Sequence, residues 1–388
     1  MSAITLENEL YADIKLDNKD IPGSAPNFLE ELSIIENVAA VPVMSMIVND
    51  TADLFSTTSP LTDGNKFSIT IGTSMTEVSE NKSLDFRLFN WQGTQYQNGF
   101  KYELNAILDN HKFITDIKNA AYIGTSSSVL EQIAANCGMD YENSEICSDS
   151  QTWLNFCETQ SIFTRKIVQH SYIPNGCMAS AVTATNSLIY KDIVKAINGE
   201  AIAEFNNMSA IPNSDFESVH LMREYRPSSS AGFMNAWLNY GYVVVEDTLE
   251  GLNKTYTSTV LTSTSGGSAA VNTDVSSDQT ASRKDYVVQD CGNTHKDYWR
   301  GYHNNIRILS LFSQKLVCMV DRVTNLSPLD VIQVKLLNAE TGKSTGYTGK
   351  YIIGAKKTVI KGTRYAEFFE LYRNTVPQEG SASLANTK

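Results

Sequence analysis

The chain has 388 residues and a formal charge of −12, with 42% hydrophobic and 19% charged residues. That is the composition of a folded globular protein, long enough for two or three cores, and not of a disordered chain or a disulfide mini-protein. The acidic balance argues against nucleic-acid binding by phosphate neutralisation, which needs clustered Lys and Arg.

The N-terminus lacks a basic region followed by an apolar one, so no secretory signal is expected. The longest nearly apolar stretch, Val38 to Val48, holds Pro42 and Ser45 and is far shorter than the roughly 20 residues of a membrane span. Residues 1–105 read as a β domain. Alternation with period two predicts strands at Val43 to Val48, Phe67 to Ile71 and Leu84 to Phe89, with turns at Asp63-Gly64-Asn65 and at the Asn90-Trp91-Gln92-Gly93 corner.

From 106 to 200 the period becomes helical. Val129, Leu130, Ile133, Ala134 and Cys137 share one helical face, Ser128 and Glu131 are spaced as a capping box, and Gly138 stands as a stop. A second helix is predicted from Gln151 through Phe163, and a third over Arg165 to His170. The third region, 201–374, contains an apolar strand at Tyr242 to Val245 and a Ser/Thr/Gly-rich insertion at 256–282, which reads either as disorder or as a long exposed β-hairpin or loop. Tyr298, Tyr302, Ile306 and Leu309 then recur at helical spacing. Strands follow at Leu316 to Val323, Val331 to Leu336, Tyr351 to Ile360 and Tyr365 to Tyr372, and residues 375–388 read as a flexible tail.

Glu145, Asp149 and Glu158 lie near one another and read as surface carboxylates rather than a glycosidase pair. Cys137, Cys147 and Cys157 recur every ten residues, which is not zinc spacing; Cys137 and Cys157 fall on apolar faces and read as core thiols. His295 and His303, eight residues apart, read as a structural or surface pair. Phosphate-cradling glycine loops and the Gly-x-Ser-x-Gly elbow are missing, so no catalytic, cofactor or metal residue is assigned. Trp153 reads as core, as does Trp237 beside Phe233 and Tyr240. Tyr298, Trp299 and Tyr302 are candidate protein-interface anchors, the alternative being that they pack their helix onto its own β domain.

The order of these parts resembles the baseplate hub of T-even-type contractile phage tails, related to the hub part of VgrG-like spike proteins. The stretches carrying the resemblance are Leu130 to Gly138, Asp149-Ser150-Gln151-Thr152-Trp153, Ser161-Ile162-Phe163 and Ser187-Leu188-Ile189-Tyr190-Lys191-Asp192. Nearer the C-terminus they are Tyr298-Trp299-Arg300-Gly301-Tyr302, Leu326-Ser327-Pro328-Leu329-Asp330, Gly349-Lys350-Tyr351-Ile352-Ile353 and Phe368-Phe369-Glu370-Leu371-Tyr372-Arg373. The chain departs from the family where Leu329 replaces a common Gly, and in its 256–282 insertion. The resemblance implies a mainly β, α+β fold with two tail-tube-like antiparallel β-barrel domains and a small helical domain. It implies a homotrimeric, non-enzymatic virion protein of the tail baseplate, assembled in the host cytoplasm, that makes a pseudo-sixfold ring, joins a trimeric spike to the tail tube or its initiator ring, and contacts other baseplate proteins. No cofactor, no specific nucleic-acid binding and no membrane insertion are implied, although DNA passes through such a lumen. The hub of a noncontractile tail or of a contractile injection system is the alternative within this architecture; a cell-wall hydrolase and a receptor-binding protein are the alternatives outside it.

Overall fold

In a computed structural model, the described residues are 4–5, 11–21, 28–72, 81–96, 99–174, 176–207, 219–229, 242–250, 253–261, 285–290, 294, 295, 297, 298, 314–338 and 340–373. The first strands are β1 (Ile4–Thr5), β2 (Tyr11–Leu16), β3 (Lys19–Asp20), β4 (Leu29–Asn37), β5 (Val43–Asp50), β6 (Lys66–Gly72), β7 (Lys82–Tyr96) and β8 (Gly99–Leu108). They pair in the order β1-β2-β6-β7-β8-β5-β4 and alternate buried with less buried side chains. The buried rows, among them Ile14, Met44, Met46, Phe67, Ile69, Phe86 and Leu104, form one apolar core. Burial of one face in period two is what the alternating sequence dictates.

The turn at Asp63-Gly64-Asn65 is present, with Gly64 at φ +87°. The corner expected at Asn90 to Gly93 is not a turn: β7 runs straight through it to Tyr96, with a bulge between Leu88 and Asn90. Gly93 is there because the Tyr102 ring lies across it, 2.8 Å from where a Cβ would stand. Glycine in a strand marks such a close approach as readily as a turn.

The middle of the chain forms α1 (His111–Ile114), β9 (Ile117–Gly124), α2 (Ser126–Cys137), β10 (Asp140–Asn143), β11 (Gln151–Thr159), α3 (Gln160–His170), β12 (Met178–Val182), β13 (Ser187–Asp192) and α4 (Ile193–Asn198). Helix α2 buries the predicted face and ends at Gly138, φ +66°. Its cap lies three residues before the expected one: the Thr125 hydroxyl accepts from Ser128 N–H, and Ser128 sits inside the first turn. The helix predicted over Gln151 to Phe163 is instead strand β11 followed by one helix, α3, capped by Thr159. Strand β11 pairs with β9 in a two-stranded sheet whose inner side gives Trp153 to the α2/α3 core. Its outer side carries Leu154 and Phe156, both exposed. Apolar residues on both faces of a strand imitate a helical stripe.

The last part contains β14 (Ala203–Asn206), β15 (Val219–Ser229), β16 (Tyr242–Glu250), β17 (Asn253–Leu261), β18 (Asp285–Asp290), β19 (Gln314–Val320), β20 (Val331–Lys335), β21 (Gly349–Lys361) and β22 (Arg364–Arg373). Strands β16, β17 and β18 make a separate sheet in the order β17-β16-β18. The start of the Ser/Thr-rich segment therefore belongs to a hairpin strand, while 262–284 lies outside the described residues, as do 374–388 and the predicted helix beyond Tyr298. The other strands close a barrel in the order β21-β20-β14-β15-β19-β22, with β22 pairing back onto β21. Its ladders are antiparallel except at β14, which runs parallel to both neighbours. Phe205, Leu316, Cys318, Ile332, Val334, Tyr351, Phe369 and Leu371 fill it.

Candidate functional site

One strand holds the first sheet to the barrel. Strand β4 pairs with β5 on one side and with β21 on the other, Asn37 facing Ala355 and Glu31 facing Lys361. The β21/β22 hairpin consequently serves both cores: Ile360 and Tyr365 pack into the first, Ile353, Phe369 and Leu371 into the second.

Between the two cores sits a buried ion pair. Lys356 Nζ lies 3.1 Å from Glu367 Oε1, with side chains 2% and 1% exposed. Glu367 also accepts from the Tyr365 hydroxyl at 2.6 Å, and from the Thr324 hydroxyl at 2.6 Å and Thr324 N–H at 3.2 Å. Lys356 donates to the carbonyls of Leu326, at 3.1 Å, and Thr324, at 3.3 Å. Lys82, from β7 of the first sheet, reaches the same Thr324 carbonyl. Glu36, from β4, accepts the backbone N–H of Ala184 at 2.7 Å, which brings in the turn between β12 and β13. A cavity of about 270 Å³ lies among these groups. Three parts of the chain thus meet on one charged cluster.

The charges are tuned by burial and by one another. Burial alone would raise the Glu367 carboxyl, but Lys356, Lys82 and the bonds from Thr324 and Tyr365 outweigh it and hold it below its ordinary value. Lys82 is pushed down to about 8, first by burial and next by the like charge of Lys356. A buried ion pair is weak evidence for added stability, because desolvation offsets much of its attraction.

Further contacts fix the middle unit. Lys191 of β13 lies 3.0 Å from Asp330, in the loop before β20, and 2.7 Å from Glu142. Val38 N–H donates to the Gly354 carbonyl, and Ala39 N–H to that of Ser180. In the Leu326 to Asp330 turn, Leu329 takes φ +74°, a left-handed conformation that glycine adopts without strain. Burial of its side chain among Ile189, Ile193, Val331 and Ile352 holds it there.

Of the proposed interface anchors, Tyr298 is half-buried, its ring stacked on that of His170 at 3.9 Å between centroids. Trp299 and Tyr302 lie outside the described residues, as do Trp237 and His303. Asp149 is not a surface carboxylate. It is fully buried because it accepts the N–H groups of Ser126 and Tyr172, both at 2.8 Å, tying the start of α2 to the end of α3. Glu145 and Glu158 pair with Lys195 and Lys166. Cys137 and Cys147 are core thiols, but Cys157 is exposed at the bulge of β11, with φ +51°. The helical reading put it on a buried face, and the strand turns it out. Among the described residues no three His, Cys, Asp or Glu side chains gather as metal ligands, and no helix is long and apolar enough to cross a membrane.

The junction residues carried a signal in the sequence. Tyr365, Glu367, Phe369, Leu371 and Arg373 alternate along β22 and all point inward. A carboxylate flanked by Tyr365 and Phe369 in such an inward row must find a partner.

Among the described residues, two surfaces expose large apolar side chains. Strand β6 covers β7 only as far as Arg87, and the stretch Phe89–Gln95 beyond it carries no charge. Exposed Phe89 and Trp91 lie there, with exposed Tyr96 next to it. The outer side of β9/β11, with Ile123 77% and Phe156 73% exposed, is the other.

No family model matches the sequence, and no curated protein does. Solved structures do. A 43 kDa tail protein of prophage MuSo2 from Shewanella oneidensis superposes with a TM-score of 0.60, covering 94% of this chain and 98% of that one at 10% identity. The chain has the fold of phage tail proteins. A tail protein from Neisseria meningitidis matches with a TM-score of 0.58 at 8% identity, covering 95% and 97% of the two chains. An E. coli component of the type VI secretion system, described as structurally similar to the T4 bacteriophage tail proteins gp27 and gp5, matches with a TM-score of 0.50 at 10% identity, over 93% and 77%.

Proposed function

We propose that this chain is a structural protein of a phage tail: a homotrimeric baseplate hub that joins a trimeric central spike to the tail tube and starts tube assembly. Residues 1–105 and 201–374 are then the two tube-like units and 106–200 an outlying unit that contacts other baseplate proteins. The observation that carries this reading is the shared β21/β22 hairpin, which puts two β units on one chain at a fixed mutual position. Three copies of such a pair give six similar units around a threefold axis. The likeness in fold to two tail proteins over nearly their whole length supports it.

The mechanism is geometric. The ring presents threefold symmetry to the spike and pseudo-sixfold symmetry to the tube, and strand edges such as Phe89–Gln95, beyond the reach of β6, dock neighbouring strands. Its place is the virion tail, assembled in the host cytoplasm, with DNA crossing the lumen unbound and no catalysis by the chain. The likeness to a type VI secretion component favours a second reading, the same role in a contractile injection system. Light scattering on the purified chain, alone and with the spike protein encoded beside it, tests the proposal. A species of three chain masses that binds one spike trimer is expected. A monomer that ignores the spike, or that clears peptidoglycan or saturates host-cell receptors instead, would refute it.

A further inference from the structure

Residues 294, 295, 297 and 298 lie as a strap across the corner where β11 begins and α3 ends. His295 N–H donates to Gln151 Oε1 at 2.9 Å, and Tyr298 N–H to the His295 carbonyl at 3.1 Å. The His295 ring is engaged at both nitrogens. Nε2 stands 3.0 Å from the backbone carbonyl oxygen of His170, which can only accept, and Nδ1 is met by the N–H of Asp297 at 3.2 Å, which can only donate. Both bonds exist together in the neutral tautomer that carries its proton on Nε2. A second proton, on Nδ1, would set N–H against N–H.

His170, the last residue of α3, has its ring face covered by Tyr298 at an interplanar angle of 7°. The end of a helix ordinarily favours an imidazolium, yet burial pushes His170 down to about 4 against the pull of a backbone hydrogen bond with Tyr298. His295, buried against Trp153, is lowered chiefly by burial, with the bond to His170, Asp149 and Asp297 acting the other way. From β11 the strap meets the uncharged Gln151 and Trp153. From α3 it meets His170, and from the loop before β11 the carboxylate of Asp149, already held by two N–H groups. Its own acid is the buried Asp297.

We propose that this strap is an acid-released latch, docked on the middle unit while both imidazoles are neutral and undocked when they take up protons, which uncovers the His170 ring face. The sign follows from the lowered values: docking is at full strength above about pH 6.5 and weakens as pH falls toward 4. His170 alone weakens it on the order of 10²-fold over that span.

Amide hydrogen exchange read by mass spectrometry on the full chain, from pH 7.5 to 4.5 and corrected for intrinsic rates, tests the latch. Protection at His295, Asp297 and Tyr298 should fall at least about tenfold on the acid side while α2 keeps its own. A variant carrying His170→Gln and His295→Gln, which cannot titrate, should hold the strap equally at both ends of the range. Strap protection that persists to pH 4.5, that is lost together with α2, or that stays pH-dependent in the double variant overturns the proposal. Should that variant fail to dock at pH 7.5, the wild-type imidazole resonances decide: midpoints near 6.5 refute the latch, and midpoints below about 5.5 support it.

Discussion

Replacing Glu367 by Gln removes the one carboxylate that faces Lys356 at 3.1 Å. Lys356 is then left 2% exposed with only neutral acceptors, the carbonyls of Leu326 and Thr324, while Lys82 stands beside it as a like charge. Orphaning one member of a buried pair typically costs about 3–5 kcal/mol, and the good geometry here places the expected loss in that range. Adding Lys356→Met to Glu367→Gln removes the two buried charges together while the amide oxygen still accepts from Thr324 and Tyr365, and should recover most of the loss, to within about 2 kcal/mol of wild type. Urea unfolding of wild type, single and double variants, followed by far-UV circular dichroism, measures this. A single variant costing under about 1 kcal/mol, or a double variant no better than the single, would refute the view that this pair is a closed, desolvated joint.

Three further outcomes are expected. Asp149→Asn places an amide N–H against one of the two N–H groups the carboxylate accepts, and should cost about 2–3 kcal/mol, visible as lost exchange protection at the start of α2. The folded-state value of Lys82 lies below its ordinary one, so the folded form sheds its proton first and stability rises with pH between about 8 and 10.5; the difference between wild type and Lys82→Met should narrow there by on the order of 2 kcal/mol in parallel urea titrations. Charging the Phe89–Gln95 stretch of β7 with Gln92→Lys and Thr94→Lys should leave monomer stability within about 0.5 kcal/mol but abolish association measured by mass photometry.

The strands were the legible part of this fold. Phe67 to Ile71 and Tyr365 to Tyr372 alternate cleanly because one side of each faces a core, and the structure places them within a residue or two of the expected limits. Strand β11 was not legible, since an uncovered outer face lets Leu154 and Phe156 stay apolar where a lone globular unit would have polar residues. Gly93 misled for a related reason: the need for glycine came from the ring of Tyr102, which strand pairing alone brings near. The junction was hidden by distance along the chain. Glu367 stands out within its own alternating row, but Lys82, Thr324 and Lys356 become its neighbours only once β4 joins the two β units.

Single-particle electron microscopy of the purified chain, with end-on views averaged without imposed symmetry, tests whether it forms the hub ring. A ring with a central channel, a threefold outline and six similar lobes around the lumen is expected. Compact particles without a channel, unchanged after the spike protein is added, would contradict it.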